Sequence, residues 1–182
     1  MNQFYTHQQF LREILNSFNY EKNVTCLEFG SGDGSSSVFN EYTKKYDNLN
    51  VYCYEHDKEW LKNMESKYSS SNYTFNVVDW NTIDYTELKK NKYDLIFVDQ
   101  GDWDARIKTI DELKDCAKYI ILHDYCYYNG FRGYEIPEHE KESALTLNSG
   151  SFFFERYGNN FNLRGEIELF PPTLILENKN KL

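Results

Sequence analysis

The stretch Cys26-Leu27-Glu28-Phe29-Gly30-Ser31-Gly32-Asp33-Gly34-Ser35-Ser36-Ser37 decides the fold. Its first half reads as a buried strand and its second half as a glycine-rich turn that opens a helix. Glycines let the backbone approach a ligand without hindrance from Cβ, and the serines suit the cap of a helix whose free N–H groups favour an electron-rich ligand. Taken alone, such a string also serves as a plain strand-to-helix turn. Glu55 adds the second signal: it lies 21 residues after Gly34, at the end of the apolar run Val51-Tyr52-Cys53-Tyr54. An acidic side chain at that offset is placed to accept hydrogen bonds from both hydroxyls of a ribose.

Working outward, strands are expected at Val24–Phe29, Asn50–Glu55, Tyr73–Val78, Tyr93–Val98 and Tyr119–His123. Helices are expected at about Ser36–Tyr46, Lys58–Tyr68, Tyr85–Lys90 and Ala105–Cys116. Tyr93–Val98 is continuously apolar, as in strands buried on both faces. Upstream, Phe4, Phe10, Ile14, Leu15 and Phe18 recur at helical spacing, so Gln3–Phe18 reads as an amphipathic helix covering one face. Repeated β–α order implies a doubly wound, mostly parallel sheet between two helical layers. Beyond Asp124 the aromatic, glycine-containing run Tyr125–Tyr134 reads as an irregular loop. Ser151–Tyr157 and Thr173–Glu177 read as terminal strands, at least one of them antiparallel. Residues 1–182 form one expected domain, with residues 1–20 as a helix packed against it.

Composition narrows the partners. A chain of 182 residues can bury a conventional core without staples. The net charge of −9 and pI near 5.0 argue against broad binding of phosphate backbones, so nucleic acid is excluded as the expected partner. Cys26, Cys53, Cys116 and Cys126 form no CxxC pair and read as reduced, small apolar residues. No stretch approaches the roughly 20 apolar residues that span a bilayer. No membrane partner is expected, and the expected location is the cytoplasm. A homo-oligomer stays open.

Together these residues resemble the class I S-adenosylmethionine-dependent methyltransferases, from about Val24 to Tyr125. The resemblance implies a Rossmann-like α/β/α fold and S-adenosylmethionine as cofactor. Glu28, Gly30, Ser31, Gly32, Gly34 and Ser35 match the family's first motif, which surrounds the methionine part of the cofactor, with Glu28 helping to hold its amino group. Glu55 and the adjacent His56 fall at the ribose position, and Asp79-Trp80 at the adenine position. Asp99 falls beside the place where the methyl group meets its acceptor. Asp99-Gln100-Gly101 and Ile121-Leu122-His123-Asp124-Tyr125 look like elements of sugar and small-molecule O-methyltransferases of the macrocin and glucuronoxylan types. The implied acceptor is a hydroxyl of a sugar, glycan or other small molecule. Some such relatives hold a divalent cation, magnesium or manganese, which here falls to Asp99 and Asp124, with Asp102 or His123 nearby. His123 in place of a carboxylate is a poorer ligand for a hard cation.

For transfer to oxygen, the acceptor must be positioned and must lose a proton. Asp99, His123 and Asp124 are the catalytic candidates, with His123 as base because an imidazole titrates near neutrality. Each candidate also has a structural reading. His123 can be a hydrogen-bonded residue at a strand end, Asp99 and Asp79 can cap the segments after them, Glu55 can be a solvated turn acid, and Trp80 can be core. Arg106 reads as an ion-pair partner of its acidic neighbours or as a group that steers an anionic acceptor. Two other functions share the pattern. Gly30-x-Gly32-x-x-Ser35 partly matches the fingerprint of an NAD-dependent oxidoreductase, although the third glycine and a second mononucleotide half are missing. A noncatalytic cofactor-binding protein would retain the turn and lose the chemistry.

Overall fold

A computed structural model describes residues 5–101, 103–125, 150–166 and 171–180. In chain order these form α1 (His7–Asn16), β1 (Val24–Phe29), α2 (Asp33–Lys45), β2 (Leu49–Glu55), α3 (Lys58–Tyr68), β3 (Tyr73–Val77), β4 (Tyr93–Val98), α4 (Trp103–Leu113), β5 (Ala117–His123), α5 (Gly150–Tyr157), β6 (Phe161–Glu166) and β7 (Thr173–Asn178). Short 3-10 turns occupy Leu88–Lys90 and Lys114–Cys116. The strands form one sheet in the order β3-β2-β1-β4-β5-β7-β6. The first five run parallel, and β7 lies antiparallel to both β5 and β6.

Period-two alternation explains the layers. In β4, Leu95 and Phe97 face a core built with Leu11, Leu15, Val38, Phe39 and Leu61 of α1, α2 and α3. Ile96 and Val98 face the opposite core, with Ala105, Ile110 and Leu113 of α4 and Phe153 and Tyr157 of α5. A strand with helices on both faces must be apolar throughout, as Tyr93–Val98 is. The expected three-layer α/β/α, Rossmann-like fold is the observed one. Among the described residues no helix is long and apolar enough to cross a membrane.

Several expected elements move. α1 is shorter than Gln3–Phe18, and Phe4 lies outside the described residues. α2 opens at Asp33, immediately after the turn, because Ser36 N–H already bonds Gly32 O at 2.9 Å. Ser151–Tyr157 is helical: Phe153 and Tyr157, four apart, enter the core together, while Phe154 between them is exposed. Its aromatic run reads as strand by local preference, and burial at helical spacing overrides that preference. The strand there is instead β6, in the segment expected only to join the two terminal strands. Of Tyr125–Tyr134, Tyr125 alone is described; the remainder and Asp102 lie outside the described residues.

Candidate functional site

The parallel strands end along one edge, and the chain reverses there at the two loops that the sequence singles out. Gly30 has φ +87°, and a Cβ on it would run into the Asp99 carbonyl at the end of β4. Only glycine permits this conformation together with this approach, which joins the ends of β1 and β4. At Gly32 an added Cβ meets nothing within 4 Å, so the turn is open there. At Gly34 it would lie 2.7 Å from His7 Nε2, so this glycine admits the chain's own imidazole.

Glu55 reaches the glycine turn from the end of β2. Its Oε2 accepts from Ser31 N–H at 2.9 Å, and its Oε1 accepts from His56 N–H at 2.7 Å and Asp57 N–H at 3.0 Å. His56 Nδ1 lies 2.8 Å from the same Oε1, while its ring stays largely exposed. Glu55 is therefore the clasp between the β1 and β2 loops before it touches any ligand. Trp60, which sequence reasoning missed, adds to the clasp: its indole N–H donates to Ser31 O at 2.8 Å.

Glu28 and Ser35 are both buried and bonded to each other. Strand alternation turns Glu28 beneath α2, where it is 0% exposed and accepts from Ser35 Oγ at 2.6 Å, Ser36 Oγ at 2.9 Å and the Tyr73 hydroxyl. Burial raises its carboxyl to about 7 against the lowering effect of those hydroxyls. Neither side chain faces the open side of the turn. Their role is to fix α2: Ser36 Oγ, held by Glu28, also accepts from Gly32 N–H at 3.2 Å.

Asp79 is exposed and caps its own turn, accepting from Asn81 N–H at 2.9 Å through Oδ1. Trp80 is buried near Phe29, with ring centroids 6.3 Å apart, so its ring is part of the core.

The ends of β4 and β5 bring Asp99, His123 and Asp124 together, with one ligand atom of each within 4.8 Å of the others. His123 Nδ1 lies 3.2 Å from Asp99 Oδ2, and His123 Nε2 lies 3.7 Å from Asp124 Oδ1. Neither contact has hydrogen-bond geometry. Arg106, reaching over from α4, places Nη2 3.2 Å from Asp99 Oδ1 and Nη1 4.0 Å from Asp124 Oδ2. It also donates from Nη1 to His123 O at 2.8 Å and from Nε to Gln100 O. Burial alone would lower His123, but the two carboxylates outweigh it and hold its pKa above 6.5. Burial would likewise raise Asp99; His123 and Arg106 bring it below the usual carboxylate value. Asp124 has φ +57°, a strained setting for a non-glycine residue and one found at functional turns.

A divalent cation does not fit this cluster. Two carboxylates and an imidazole are a usable donor set, yet the Arg106 guanidinium already stands beside both carboxylates and supplies the positive charge. No step is derived through a metal.

His7, the first residue of α1, is the residue the sequence reading missed. It is 3% exposed, and its ring stands edge-on to His123 with centroids 4.2 Å apart and tilted on Phe97 at 5.1 Å. Burial, then the charge of His123, push its pKa down to about 3 against the pull of Asp99, so it is neutral. No periodic signal marks it, since a histidine opening an amphipathic helix looks like a surface residue.

The buried polar atoms without a hydrogen bond of normal geometry among the described residues gather at this edge. They include both nitrogens of His7 and of His123, the Trp80 indole nitrogen, the whole Gln100 amide and Thr173 Oγ, which lies opposite His123 on β7. Buried polar groups are paired in nearly all native structures, and each unpaired one costs about 1–3 kcal/mol. Doubly wound sheets bind ligands outside the carboxyl ends of their strands, where these groups lie.

No protein-family model matches the sequence, and no curated protein matches it. Solved structures do match. The N-terminal domain of EvdMO1 with S-adenosylhomocysteine bound is 13% identical at a TM-score of 0.62, over 98% of this chain and 82% of that one. Human methyltransferase-like protein 13 in complex with S-adenosylhomocysteine is 16% identical at 0.63, over 97% and 84%. The CurJ carbon methyltransferase is 11% identical at 0.65, over 96% of this chain and 53% of that one. With its mostly parallel seven-stranded sheet and antiparallel C-terminal strand, and with these matches over nearly its whole length, the chain has the Rossmann-like fold of the class I S-adenosylmethionine-dependent methyltransferases.

Proposed function

We propose that the chain is an S-adenosylmethionine-dependent methyltransferase acting on a hydroxyl of a sugar, a glycan or another small molecule. The observation that carries this reading is the collection of unpaired buried polar groups at the strand ends, between an open glycine turn and a charged Asp99–His123–Asp124 cluster. Gly30–Gly32, the Glu55 clasp and the Asp79 turn are the residues that would hold the cofactor. The bound cofactor supplies an electrophilic methyl group on a sulfonium. The protein must then place the acceptor oxygen, exclude water and take the hydroxyl proton.

His123 is the base, working through Nε2, with Asp99 orienting the ring at Nδ1. Because the carboxylates raise its pKa, the proton must first leave the ring, so turnover is expected to rise with pH as His123 loses its proton. Arg106 holds both carboxylates in place. Support for a sugar acceptor comes from the Asp99-Gln100-Gly101 and His123-Asp124 elements and from the EvdMO1 domain, which was crystallised with S-adenosylhomocysteine and D-fucose present. An NAD-dependent oxidoreductase is less well served, because the sheet closes with a reversed strand instead of a second parallel mononucleotide half.

Isothermal titration with S-adenosylhomocysteine and with NAD tests the reading. Micromolar binding of S-adenosylhomocysteine is expected, weakened more than tenfold by Glu55→Ala. His123→Ala is expected to keep that binding and lose turnover on sugar acceptors. Binding of NAD alone would move the oxidoreductase first, and cofactor binding with no turnover on any acceptor would favour a noncatalytic binding protein.

A further inference from the structure

We propose that the tyrosine-lined cavity at the amino ends of β1 and β4 is a second, noncatalytic site that binds an unbranched oligosaccharide. Parallel strands are joined by crossovers that usually lay a helix on the sheet. The connection from β3 to β4 holds only the 3-10 turn Leu88–Lys90, so part of the sheet on that side stays uncovered. Tyr52 of β2 is 38% exposed, and Thr74, opposite it on β3, is exposed as well. The cavity beside them measures about 410 Å³, within the range of small-molecule sites, and its lining includes Thr25, Tyr52, Tyr54, Leu88, Asn91 and Tyr93. Tyr93 opens β4 and Asp99 follows its last residue, so the length of a strand, about 20 Å, separates this cavity from the Asp99–His123–Asp124 cluster.

The lining is rigid before anything binds. Tyr54 stacks on Phe29, with ring centroids 5.1 Å apart and planes 17° from parallel. The Tyr93 hydroxyl donates to Leu88 O at 2.9 Å, which ties the floor of the cavity to the 3-10 turn. A ligand therefore meets preorganised rings, which lowers the entropic cost of binding. A pyranose presents an apolar C–H face and a rim of hydroxyls. Tyrosine answers both with a flat apolar ring and a polar tip, and the Thr25 hydroxyl and Asn91 amide add neutral donors and acceptors for the rim. A purely apolar ligand would leave those polar groups unused. An adjoining cavity of about 350 Å³ shares Tyr54 and Leu88 and continues to Thr82, so the groove is longer than one sugar ring and suits a chain of them. A protein partner fits less well. Among the described residues Tyr52 is the one exposed large apolar side chain in the lining, whereas a stable protein interface covers roughly 800 Å² on each partner.

The test is a titration of the isotope-labelled protein with xylohexaose, cellohexaose and maltohexaose, followed by amide NMR. At least one of the three is expected to bind with submillimolar affinity and to shift the amides of Thr25, Tyr52 and Asn91. Tyr52→Ala, at an exposed position, is expected to keep the melting temperature within a few degrees and to weaken that binding at least tenfold. Tyr52→Phe, which keeps the ring, is expected to stay within threefold of the wild-type protein, and His123→Ala within twofold. Absence of binding by all three chains, shifts centred on Asp99 and Asp124 instead, or equal affinity in Tyr52→Ala overturns the site. Sedimentation supplies the remaining check: a wild-type dimer that Tyr52→Ala converts to a monomer would assign this face to a second copy of the chain and overturn the carbohydrate site.

Discussion

Arg106 spans from α4 to the end of β4, where its Nη2 lies 3.2 Å from Asp99 Oδ1. That contact puts a fixed guanidinium where the sequence reading left room for a metal ion. Mg²⁺ and Mn²⁺ are therefore expected to leave both the melting temperature and the S-adenosylhomocysteine affinity unchanged, as read by thermal denaturation and titration with and without EDTA. Arg106→Met is expected to destabilise by about 1–3 kcal/mol, the scale for leaving half-buried polar groups without their partner. A metal-induced rise in melting temperature in the wild-type protein would show that the guanidinium does not fill this role.

His123 titrates above 6.5 because Asp99 and Asp124 flank it. Asp99→Asn removes one of the two anions and leaves Arg106 in place, so the His123 pKa is expected to fall from its value in the wild-type protein. Imidazole proton shifts followed by NMR across pH 5–9 read this directly. The sign for stability follows from linkage: a raised histidine stabilises fully below its unfolded pKa, and the contribution is lost as pH rises through the folded value. Asp99, held below its ordinary value, contributes above that value and loses the contribution in acid. The pair stabilises best at weakly acidic pH. A His123 pKa equal in both proteins would sink the assignment.

Gly34 and His7 compete for one space. Gly34→Ala is expected to displace the imidazole and destabilise by about 1–3 kcal/mol, the scale of overpacking in a well-filled site. Removing the obstacle should reverse it: the double variant Gly34→Ala, His7→Ala is expected to be more stable than the sum of its single changes. Chemical denaturation of the four proteins measures the coupling. Strict additivity would mean that the two residues do not meet.

Much of this was legible in the sequence because it rests on local pattern. Tyr93–Val98 and Lys58–Tyr68 match their observed elements residue for residue, since apolar continuity and a capped amphipathic run each carry one signal. The Asp57 cap on Glu59 and Trp60 N–H, 2.9 Å each, is of that kind. Gly30, Glu55, Asp99 and His123 come to one edge because doubly wound topology leaves their loops nowhere else to go. What the sequence hid depends on distant partners. Glu28 looks like a ligand residue until alternation turns it under α2 against Tyr73, and His7 becomes part of the site only once α1 packs against the end of β5. Ser151–Tyr157 misleads because its aromatic residues favour strand locally, while their burial repeats every fourth residue.

Glu28 gives the last prediction. Its carboxyl, fully buried against Ser35, Ser36 and Tyr73, stands at about 7, against 4.5 for an unperturbed glutamate. In the unfolded chain it ionises first, so between about pH 4.5 and 7 the unfolded state holds fewer protons than the native one, and stability falls as pH rises. Above the folded value the loss is complete, at roughly 3 kcal/mol for a shift of this size. Glu28→Gln does not titrate in that window and keeps an uncharged polar group among the three hydroxyls. Urea denaturation at pH 4.5, 6, 7 and 8 is expected to show the variant gaining on the wild-type protein by about 2–3 kcal/mol across the series, with the change concentrated below pH 7. A constant difference at every pH would mean that Glu28 stays ionised in the folded protein. The hydroxyls of Ser35, Ser36 and Tyr73 would then have offset the whole cost of burying its charge.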